Sequence, residues 1–416
     1  MSSYLIEGGN KLFGKIKTDS AKNSILPILA ATVLTDDECV IYDVPMYLDV
    51  LEMIKILKAL GKKVEISDNS VIVSGPAHSS EVIMDEAKRL RSSIFFIGSL
   101  LGKNKRVSFI SPGGCKIGKR PIDIHLMGLN KLGFDFSENF GVMNFTEKKL
   151  MGCVVEFPFP SVGATENIMM AASLINGEMT VIKLAAREPE VEDLGKFINS
   201  MGGTVYGLGT ETIVIIGVKK LHGTSFKPIG DRILAGTLLA ATAMCGGKVE
   251  VLDINPNFLL PLIVILRNSG CNIDVFRDKI TLESCDRLKA ISNLKTAVYP
   301  GFPTDLQSIM LSMMTIADGT SVIEENIFES RFKVADELIK MGASIKIDGN
   351  KAIVNGTKKL FGAQVVCPDL RGGAALVLAG LVAKGTSQVD DVFHIERGYF
   401  NFDEKLKSLG AKITKE

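Results

Sequence analysis

The sequence lacks the features that direct a chain to a membrane or out of the cell. Its longest apolar runs, such as residues 25–34 and 374–383, are about ten residues long, which is too short to cross a bilayer. No basic region followed by an apolar stretch opens the chain, so we expect no secretory signal and a cytoplasmic location. The formal net charge is only +1, which gives no reason to expect nucleic acid or an anionic membrane as a partner.

Paired cysteines and clustered histidines are also missing. The seven cysteines are widely scattered, and no two of them form a Cys-x-x-Cys motif. This pattern favours free thiols in a reducing compartment over a disulfide framework or a zinc site. Only four histidines occur, and they are scattered too, so a histidine-based metal site is not expected.

What is present is a long, globular sequence built from a repeat. The 416 residues predict two or three domains or a repeat array. Six glycines each end an amphipathic helical pattern and precede a short strand pattern, at spacings of 68 to 72 residues: Gly61, Gly133, Gly202, Gly270, Gly342 and Gly410. Glycine suits this place because a helix commonly ends in a left-handed residue.

A second pattern alternates with the first. It consists of a nearly all-apolar helix followed by a strand and a loop, and its helices are predicted at 22–34, 91–101, 165–174, 232–244, 305–316 and 372–382. A helix that is apolar on every side must be buried on every side. Six copies therefore predict an α/β protein whose sheets cover buried helices.

A segment near the N-terminus resembles a nucleotide-binding motif. Residues 9–15 resemble a phosphate-binding P-loop, but Ile16 stands where the motif needs Ser or Thr. The same Gly-x-x-Lys-Leu-x-Gly phrase recurs at 217–223 and 356–362. A phrase found at equivalent repeat positions indicates a structural turn, so we do not expect nucleotide hydrolysis.

Charged residues gather where the buried helices begin. They are Lys22 with Asn23, Arg91, Asp231 with Arg232, Asp305, and Arg371 just before its helix. Helix N-termini favour anions, and added cations suggest phosphate or carboxylate ligands. Capping and ion pairing between repeats are the alternative explanation for each residue taken alone.

One loop joins a thiol to basic residues. Residues 111–121 are rich in glycine and contain Cys115 beside Lys116, Lys119 and Arg120. Cationic neighbours lower a thiol pKa and make it a better acid, base or nucleophile near neutral pH. The alternative is that Cys115 lies in this loop by chance and has no role in catalysis. Charged loops at 186–190, 328–331 and 395–398 occupy equivalent positions in other repeats.

Several phrases together resemble a known family. They lie in order at 21–24, 90–93, 112–121, 161–167, 185–190, 302–307, 369–371 and 394–399. The chain resembles the UDP-N-acetylglucosamine 1-carboxyvinyltransferases, enolpyruvyl transferases of the EPSP synthase superfamily, from about residue 7 to residue 412. This resemblance implies a two-domain inside-out α/β barrel of six β-α-β-α-β-β units. Residues 1–21 with 230–416 would form the catalytic domain, 22–229 the second domain with the Cys115 loop, and the cleft between them the active site.

The resemblance also implies roles for individual residues. Cys115, Asp305, Lys22 and Arg397 look catalytic, with Cys115 as the acid that protonates phosphoenolpyruvate and Asp305 as the base for the sugar hydroxyl. Phosphoenolpyruvate would contact Lys22, Asn23, Arg120 and Arg397. The UDP-sugar would contact Asn23, Arg91, Arg120, Pro121, Ile122, Asp123, Ile124, Ser161, Val162, Gly163, Asp305 and Ile327. Supporting roles fall to Glu188, Asp231, Arg331, Asp369 and Arg371.

The implied reaction moves the enolpyruvyl group of phosphoenolpyruvate to the 3′-hydroxyl of UDP-N-acetylglucosamine, the first committed step of peptidoglycan synthesis. It proceeds through a tetrahedral ketal phosphate and requires no metal or organic cofactor. The expected partners are these two substrates, with no nucleic acid and no membrane, in a monomer or weak oligomer. Cys115 would be the thiol that carries covalent adducts, including that of fosfomycin.

A few positions depart from the family pattern. Asp19 and Ser20 precede Ala21 where a glycine is usual, and Ser92 replaces a common alanine. Lys116 and Lys119 stand where small residues are common, and we hypothesise that they depress the Cys115 pKa. Equal thiol pKa values in the wild type and Lys116→Ala would contradict this.

Three alternatives to a UDP-sugar carboxyvinyltransferase remain open. The sister enzyme that acts on shikimate 3-phosphate shares the fold and the donor, but the Gly-Gly-Cys loop and the 186–190 phrase match the UDP-sugar enzyme. A non-catalytic paralogue that binds UDP-sugar and a purely structural repeat protein are the others. The intact Cys115, Asp305, Lys22 and Arg397 argue against the paralogue, and the Lys and Arg residues at the starts of buried helices argue against a structural repeat protein.

Overall fold

Short strands alternate with helices along the whole chain. The computed structural model describes residues 2–110 and 121–416. The helices are α1 (Lys22–Ala31), α2 (Leu48–Ala59), α3 (Asp85–Arg89), α4 (Phe95–Asn104), α5 (Asp123–Lys131), α6 (Val162–Ala172), α7 (Pro189–Ser200), α8 (Arg232–Cys245), α9 (Leu260–Asn268), α10 (Gln307–Met314), α11 (Val334–Lys340), α12 (Leu370–Val382), α13 (Phe393–Glu396) and α14 (Phe402–Ser408). Five 3₁₀ turns join them, at Thr32–Leu34, Arg91–Ile94, Pro256–Leu259, Thr304–Leu306 and Arg331–Lys333.

The strands are two to six residues long. They are β1 (Ser3–Glu7), β2 (Leu12–Lys17), β3 (Cys39–Ile41), β4 (Lys63–Ser67), β5 (Ser70–Ser74), β6 (Glu81–Val82), β7 (Arg106–Ile110), β8 (Phe134–Asn139), β9 (Val142–Glu147), β10 (Val154–Glu156), β11 (Met179–Lys183), β12 (Thr204–Tyr206), β13 (Thr212–Ile216), β14 (Thr224–Phe226), β15 (Gly247–Leu252), β16 (Asn272–Val275), β17 (Lys279–Glu283), β18 (Leu294–Lys295), β19 (Thr320–Glu324), β20 (Ser344–Asp348), β21 (Lys351–Asn355), β22 (Gln364–Val366), β23 (Thr386–Asp390) and β24 (Lys412–Lys415).

The described residues form two units. The first unit contains residues 2–19 and 230–416, and the second contains residues 20–110 and 121–229. The first has three sheets, in the strand orders β16-β17-β15-β2, β18-β19-β21-β20 and β22-β23-β1-β24. The second has three as well, in the orders β14-β3-β5-β4, β6-β7-β9-β8 and β10-β11-β13-β12.

Every sheet follows one design. An outer strand pairs in parallel with its neighbour, as β2 does with β15, and the remaining pairs are antiparallel. In four sheets the parallel strand comes just before the buried helix in the chain, as β6 does before α4, but β2 pairs with β15 and β14 pairs with β3 across most of the sequence of the second unit. Six equivalent sheets confirm the sixfold repeat that the glycine spacing predicts.

Three helices fill the centre of each unit. In the first unit these are α8, α10 and α12, and residues 232–244 of α8 are all buried. The Ser312 hydroxyl of α10 donates to the Ala375 carbonyl of α12 at 2.9 Å, which ties two of them together. In the second unit α1, α4 and α6 are buried. Helices inside and sheets outside make each unit an inside-out α/β barrel.

Two of the central helices of the second unit approach closely. The Gly98 amide on α4 donates to the Asn167 side-chain oxygen on α6 at 2.8 Å. A Cβ atom at Gly98 would lie 2.5 Å from the Asn167 carbonyl oxygen, so only glycine fits there. The sequence predicts both helices but not this contact.

Several helix boundaries differ from the predictions. The helix predicted at 22–34 ends in a 3₁₀ turn at Thr32–Leu34, and α6 begins at Val162 and not at residue 165. Two buried helices begin with a 3₁₀ turn, Arg91–Ile94 before α4 and Thr304–Leu306 before α10. In contrast, the six repeat glycines are confirmed as left-handed helix ends, with φ between 87° and 105°. Apolar patterning predicts that a helix is buried but does not distinguish a tight first turn from an α-helical one.

The P-loop-like segment at residues 9–15 leads into a strand and not into a helix. Leu12 already begins β2, and the matching phrases at 217–223 and 356–362 lead into β14 and β22. A phosphate-binding loop needs a helix N-terminus directly after it, so the structural interpretation of this phrase is confirmed.

Within the described ranges, no helix is both long and apolar enough to span a membrane. The six cysteines of that part of the chain are free thiols, and it contains no cluster of three or more His, Cys, Asp or Glu side chains suited to a metal ion.

Candidate active site

In the first unit, three aspartates stand at the starts of the three buried helices. Asp231 caps α8 by accepting the Ile233 and Leu234 amides at 2.7 and 2.9 Å. Asp369 caps α12 by accepting the amides of Arg371 and Gly372 at 3.0 and 3.1 Å. Asp305 lies in the turn before α10. Two of these carboxylates are therefore occupied by helix capping, as the alternative explanation for such residues predicts.

Asp305 has a different environment. Its Oδ1 accepts from Arg331 Nη2 at 2.6 Å, and its Oδ2 accepts from Arg371 Nη2 at 2.9 Å. The two arginine side chains are 3% exposed, whereas the Asp305 side chain is 25% exposed. The carboxylate is therefore oriented from behind by two buried cations and remains open to solvent on the other side.

Arg331 links this pair to its neighbours. Its Nη1 lies 3.9 Å from Asp369 Oδ1, and its Nε donates to Thr304 Oγ1 at 3.3 Å. The Thr304 hydroxyl in turn donates to Glu325 at 3.0 Å. Residues from three loops thus share one network of charge-assisted hydrogen bonds.

Glu325 also shapes the loop that carries Ile327. Its Oε1 accepts the backbone amides of Ile327 and Phe328 at 2.8 and 3.1 Å. The predicted sugar contact at Ile327 is therefore positioned by a carboxylate that belongs to the Asp305 network.

Arg371 packs on an aromatic ring. Its guanidinium carbon lies 5.2 Å from the centre of the Tyr399 ring, and the Tyr399 hydroxyl is 2.9 Å from Thr237 Oγ1. Burial opposes the charge of Arg371, but Asp305, Tyr399 and Asp231 together outweigh burial and raise the pKa of Arg371. Its Nε and Nη1 make no hydrogen bond within the described residues. Arg371 is thus a permanent buried cation with unused donors.

Arg397 follows the short helix α13 and is half-buried. It lies in the first unit, as do Asp231, Asp305, Ile327, Arg331, Asp369 and Arg371. Arg232, beside the Asp231 cap, has its guanidinium carbon 5.5 Å from the Tyr299 ring centre. Cations therefore recur at this end of the unit.

In the second unit, Lys22 is the first residue of α1 and is buried. Its ammonium lies 2.6 Å from Asp49 Oδ2, and the two side chains are 11% and 6% exposed. Asn23, the next residue, is exposed. Asp49 thus fixes the position of a lysine whose charge is largely removed from water.

Ser161 begins α6 and holds a neighbouring loop. Its hydroxyl accepts the Ala164 amide at 3.4 Å, and its carbonyl accepts the Thr165 hydroxyl at 2.8 Å. Thr165 Oγ1 in turn accepts the Ala186 amide at 3.1 Å. The predicted sugar contacts Ser161, Val162 and Gly163 are thereby joined to the 185–190 loop.

A buried histidine lies beside these residues. His125 Nδ1 is 2.9 Å from Asn167 Nδ2, and a Cβ atom at Gly163 would lie 3.1 Å from His125 Cε1. Burial, together with the nearby charge of Arg91, lowers the pKa of His125 to about 3. His125 is therefore neutral and brings the predicted contacts Arg91 and Gly163 into one neighbourhood.

Glu166 of α6 has two other glutamates, Glu188 and Glu190, as neighbours. Glu166 is fully buried, and neither of its oxygens has a hydrogen-bond partner in the part of the chain that the structure describes. Burial raises its pKa well above the ordinary range, and Glu190 and Glu188 raise it further. Glu166 is therefore held neutral, and the predicted supporting residue Glu188 contributes to this.

The remaining predicted contacts fall at one helix start or outside the described residues. Ile122 precedes α5 and Asp123 begins it, with Pro121 and Ile124 on either side. Cys115 and Arg120, with Lys116 and Lys119, lie between the described ranges 2–110 and 121–416.

The sequence analysis missed the residues that hold the predicted ones in place. These are Asp49, His125, Asn167, Thr237, Thr304, Glu325 and Tyr399. Asn167, Thr304 and Tyr399 lie inside phrases that carry the family resemblance, which was the available signal for these three. The others lie far from their partners along the chain and have no local pattern.

Comparison with known proteins gives matches over the whole chain. The family model described as EPSP synthase (3-phosphoshikimate 1-carboxyvinyltransferase) matches residues 6–406. UDP-N-acetylglucosamine 1-carboxyvinyltransferase 2 of Caldanaerobacter subterraneus subsp. tengcongensis is 47% identical over 416 residues and covers 100% of both chains. Its namesake in Clostridium tetani is 45% identical and covers 99% of both chains.

Solved structures agree in fold at lower identity. The enolpyruvyl transferase NikO of Streptomyces tendae matches with a TM-score of 0.89 and 23% identity, covering 100% of this chain and 98% of that one. An EPSP synthase of Acinetobacter baumannii matches with a TM-score of 0.76 and 19% identity over 100% of both chains. The predicted two-domain enolpyruvyl transferase fold is confirmed.

Proposed function

Because this chain belongs to the EPSP synthase family of carboxyvinyl transferases, we propose that it transfers the enolpyruvyl group of phosphoenolpyruvate to UDP-N-acetylglucosamine. The acceptor is the sugar 3′-hydroxyl, and inorganic phosphate is released. The observation that carries this proposal is the 47% identity, over the full length of both chains, to a protein named for that reaction. We place the reaction at the start of peptidoglycan synthesis, in the cytoplasm.

The chemistry is an addition followed by an elimination. Protonation of the phosphoenolpyruvate methylene carbon makes C2 oxocarbenium-like, and the sugar oxygen attacks C2 as its own proton leaves. The resulting tetrahedral ketal then loses phosphate and a methyl proton, which restores the carbon–carbon double bond. The steps need a proton donor, a proton acceptor and cations around the phosphate and carboxylate groups.

Lys22, Arg120 and Arg397 are the proposed cations for phosphoenolpyruvate, with Asn23 beside them. Lys22 is supported by its 2.6 Å contact with Asp49, which holds the ammonium in one position before any substrate arrives. A preplaced charge stabilises a developing anion without having to reorganise during the reaction. Cys115 is the proposed proton donor to the methylene carbon.

Asp305 is the proposed acceptor of the 3′-hydroxyl proton. Its support is geometric, since both oxygens are oriented by arginines while a quarter of the side chain stays exposed. Arg91, the residues Pro121, Ile122, Asp123 and Ile124, the α6 start from Ser161 to Gly163, and Ile327 are the proposed contacts to the rest of the UDP-sugar. Glu188, Asp231, Arg331, Asp369 and Arg371 are proposed to support them.

Shikimate 3-phosphate is the competing acceptor, because the family model takes its description from that enzyme. The two relatives at 45% and 47% identity are named for the UDP-sugar instead, and the solved EPSP synthase is only 19% identical. The UDP-sugar is therefore the better supported acceptor.

The test is phosphate release from phosphoenolpyruvate by the purified full chain. It is run with UDP-N-acetylglucosamine and separately with shikimate 3-phosphate, on the wild type, Cys115→Ala and the control Cys153→Ala. Cys153 is a free, partly exposed thiol in the second unit. We expect release with the UDP-sugar only, lost in Cys115→Ala and retained in Cys153→Ala. Release with shikimate 3-phosphate alone, or with neither acceptor from folded protein, would refute the proposal.

A further inference from the structure

A cavity lies at the opposite end of the first unit from the Asp305 network. Its volume is about 920 Å³, and the last residues of α8, Met244 and Cys245, and of α12, Val382, line it. The aspartates of the candidate site stand at the other ends of these same helices. The 14 residues of α8 separate the two ends by roughly 20 Å at 1.5 Å per residue. The cavity is therefore a separate place in the molecule.

The lining of this cavity is strongly basic. Its charged residues are six cations, Lys11, Lys248, Arg287, Lys358, Lys359 and Lys384, and two acids, Glu283 and Asp286. The lining therefore has a formal charge of +4, whereas the whole chain has +1. Positive charge is concentrated here while the rest of the chain is close to neutral.

Among the described residues, four of the six cations have neither an ion-pair partner nor a hydrogen-bond partner. Lys248 pairs with Glu283 at 3.1 Å and Arg287 with Asp318 at 3.1 Å. Within the described part of the chain, the ammonium groups of Lys11, Lys358, Lys359 and Lys384 form neither an ion pair nor a hydrogen bond. Four unpaired like charges around one cavity repel one another unless an anion lies among them.

Helix capping does not explain these lysines. Cations do favour helix C-termini, but backbone amides already reach the carbonyls at these helix ends. The Gly9 amide donates to Leu381 at 2.8 Å, the Leu12 amide to Gly246 at 2.9 Å and the Thr357 amide to Thr315 at 2.7 Å. These three carbonyls therefore have backbone donors and do not need the lysines.

The second unit provides an internal comparison, because it is built from the same repeat. At the matching helix ends, Lys62 donates to the Thr35 carbonyl at 2.7 Å and Lys105 to the Gly102 carbonyl at 2.7 Å. Lys103 pairs with Asp36 at 2.9 Å, and Lys220 with Asp37 at 3.3 Å. These four lysines of the second unit therefore have protein partners, although Lys219, the counterpart of Lys358, has none within the described residues.

The repeated Gly-x-x-Lys-Leu-x-Gly phrase contributes directly to this difference. Its lysines in the first unit, Lys11 and Lys359, both line the cavity, as do Gly8 and Gly9. Its counterpart in the second unit contains Lys220, whose partner is Asp37. The first unit places no carboxylate opposite Lys11 or Lys359.

We propose that this cavity binds a small polyanion that carries two or more phosphate or carboxylate groups. The volume is that of an ordinary small-molecule site, and lysine ammonium groups bind phosphate as point charges. Phe13 and Ile316 supply an apolar surface beside them, so a molecule with an apolar body as well as anionic groups fits. The proposal does not depend on the reaction proposed above.

Binding is measured by calorimetry with inorganic tripolyphosphate, citrate and ATP, in the presence of saturating UDP-N-acetylglucosamine. The test variant is Lys358→Ala with Lys359→Ala and Lys384→Ala. The matched control is Lys149→Ala with Lys183→Ala and Lys346→Ala, three exposed lysines away from the cavity. We expect the test variant to weaken binding at least about tenfold, since one charge-assisted hydrogen bond alone is worth roughly that factor. The control should stay within about twofold of the wild type, and both variants should release phosphate as the wild type does.

A second readout locates the site. The bound probe should protect Lys358, Lys359 and Lys384 from acetylation, as measured by mass spectrometry, and leave Lys346 unprotected. Preference for tripolyphosphate, citrate or ATP then identifies phosphate, carboxylate or a nucleotide as the ligand chemistry. Absence of binding by all three probes, equal affinity in the test variant, or an equal loss in the control would overturn the proposal.

Discussion

At the residue scale, the position of Asp305 depends on two arginines that are distant in the sequence. Arg331 lies 26 positions later and Arg371 lies 66 positions later. The sequence places each of the three residues at the start of a buried helix or in a matching loop. Which of them pair with one another is decided by how the three repeats pack.

Asp305→Asn is expected to lower kcat for phosphate release by about 10²–10⁴-fold, the usual contribution of a positioned acid or base. Asparagine keeps the shape and can still accept one arginine hydrogen bond, so the fold should survive. The matched control is Asp318→Asn, which loses an exposed pair with Arg287 and should not change kcat. A kcat for Asp305→Asn within about threefold of the wild type would exclude the proposed role.

His125 illustrates a second tertiary effect on a single residue. One Asn167 amide hydrogen is directed to the Ile94 carbonyl at 3.1 Å, and the other faces His125 Nδ1 at 2.9 Å. The imidazole nitrogen must therefore act as an acceptor, and protonation would place two donors against each other. Burial, which lowers the His125 pKa to about 3, acts in the same direction.

This predicts acid destabilisation. The unfolded chain protonates His125 near its ordinary pKa of about 6.5, whereas the folded chain does so only near 3. Between pH 6.5 and pH 3 the unfolded state therefore binds more protons than the folded state. As the pH falls through this range, the free energy of unfolding decreases by up to about 4 kcal/mol. His125→Gln should show a smaller fall in melting temperature over this range than the wild type or His78→Gln, whose histidine is exposed.

Protonation of Asp193 changes stability with pH in the opposite direction, and it does not affect the comparison of these variants. Burial raises its pKa to about 6, against the lowering effect of hydrogen bonds from Ser24 and Ile229. The folded state then holds a proton that the unfolded state has lost, so this contribution grows as the pH falls. Because Asp193 is present in all three proteins, its effect cancels. An equal acid dependence in His125→Gln and the wild type would contradict the prediction.

At the element scale, the sequence predicts helices better than it predicts their starts. Apolar runs locate all six buried helices, and the six glycines locate the left-handed ends of the amphipathic helices. The 3₁₀ turns before α4 and α10, and the pairing order of the strands, follow from packing against elements elsewhere in the chain. Short strands of two to six residues have no local feature that selects a partner.

The aspartate caps give a prediction at this scale. Asp231→Ala removes two hydrogen bonds to the first turn of α8 and is expected to lower stability by about 1–2 kcal/mol. In a unit of this size, that is a fall in melting temperature of roughly 2–8 °C. Asp231→Asn keeps an accepting oxygen and should recover most of the loss. If Asn is as unstable as Ala, then the charge of Asp231 and not its cap stabilises the unit.

At the scale of the whole molecule, the first unit is assembled from both ends of the chain. Residues 2–19 provide β1, which lies between β23 and β24, and β2, which pairs with β15. Two of the three sheets in that unit therefore depend on a segment more than 200 residues away in sequence. Such long-range pairings cannot be detected from local patterns.

Deletion of residues 2–19 should therefore unfold the first unit selectively. Removing an interior strand leaves two sheet edges unpaired and exposes the core beneath them. Hydrogen exchange should show loss of protection in α8, α10 and α12, whereas α1, α4 and α6 stay protected. Deleting residues 412–416 removes only the outer strand β24 and should be milder. Protection retained in α8 after the larger deletion would contradict this account.

The sequence by itself determined the repeat, the buried helices, the glycine ends of the amphipathic helices and the family, because each of these is encoded in local periodicity or in contiguous phrases. Only the tertiary structure decided that Asp231 and Asp369 cap helices while Asp305 is held by two arginines, and that Lys22 rests on Asp49. It also decided that the lysines of one repeated phrase remain unpaired in the first unit. These outcomes depend on which side chains from distant repeats meet, and no local pattern contains that information.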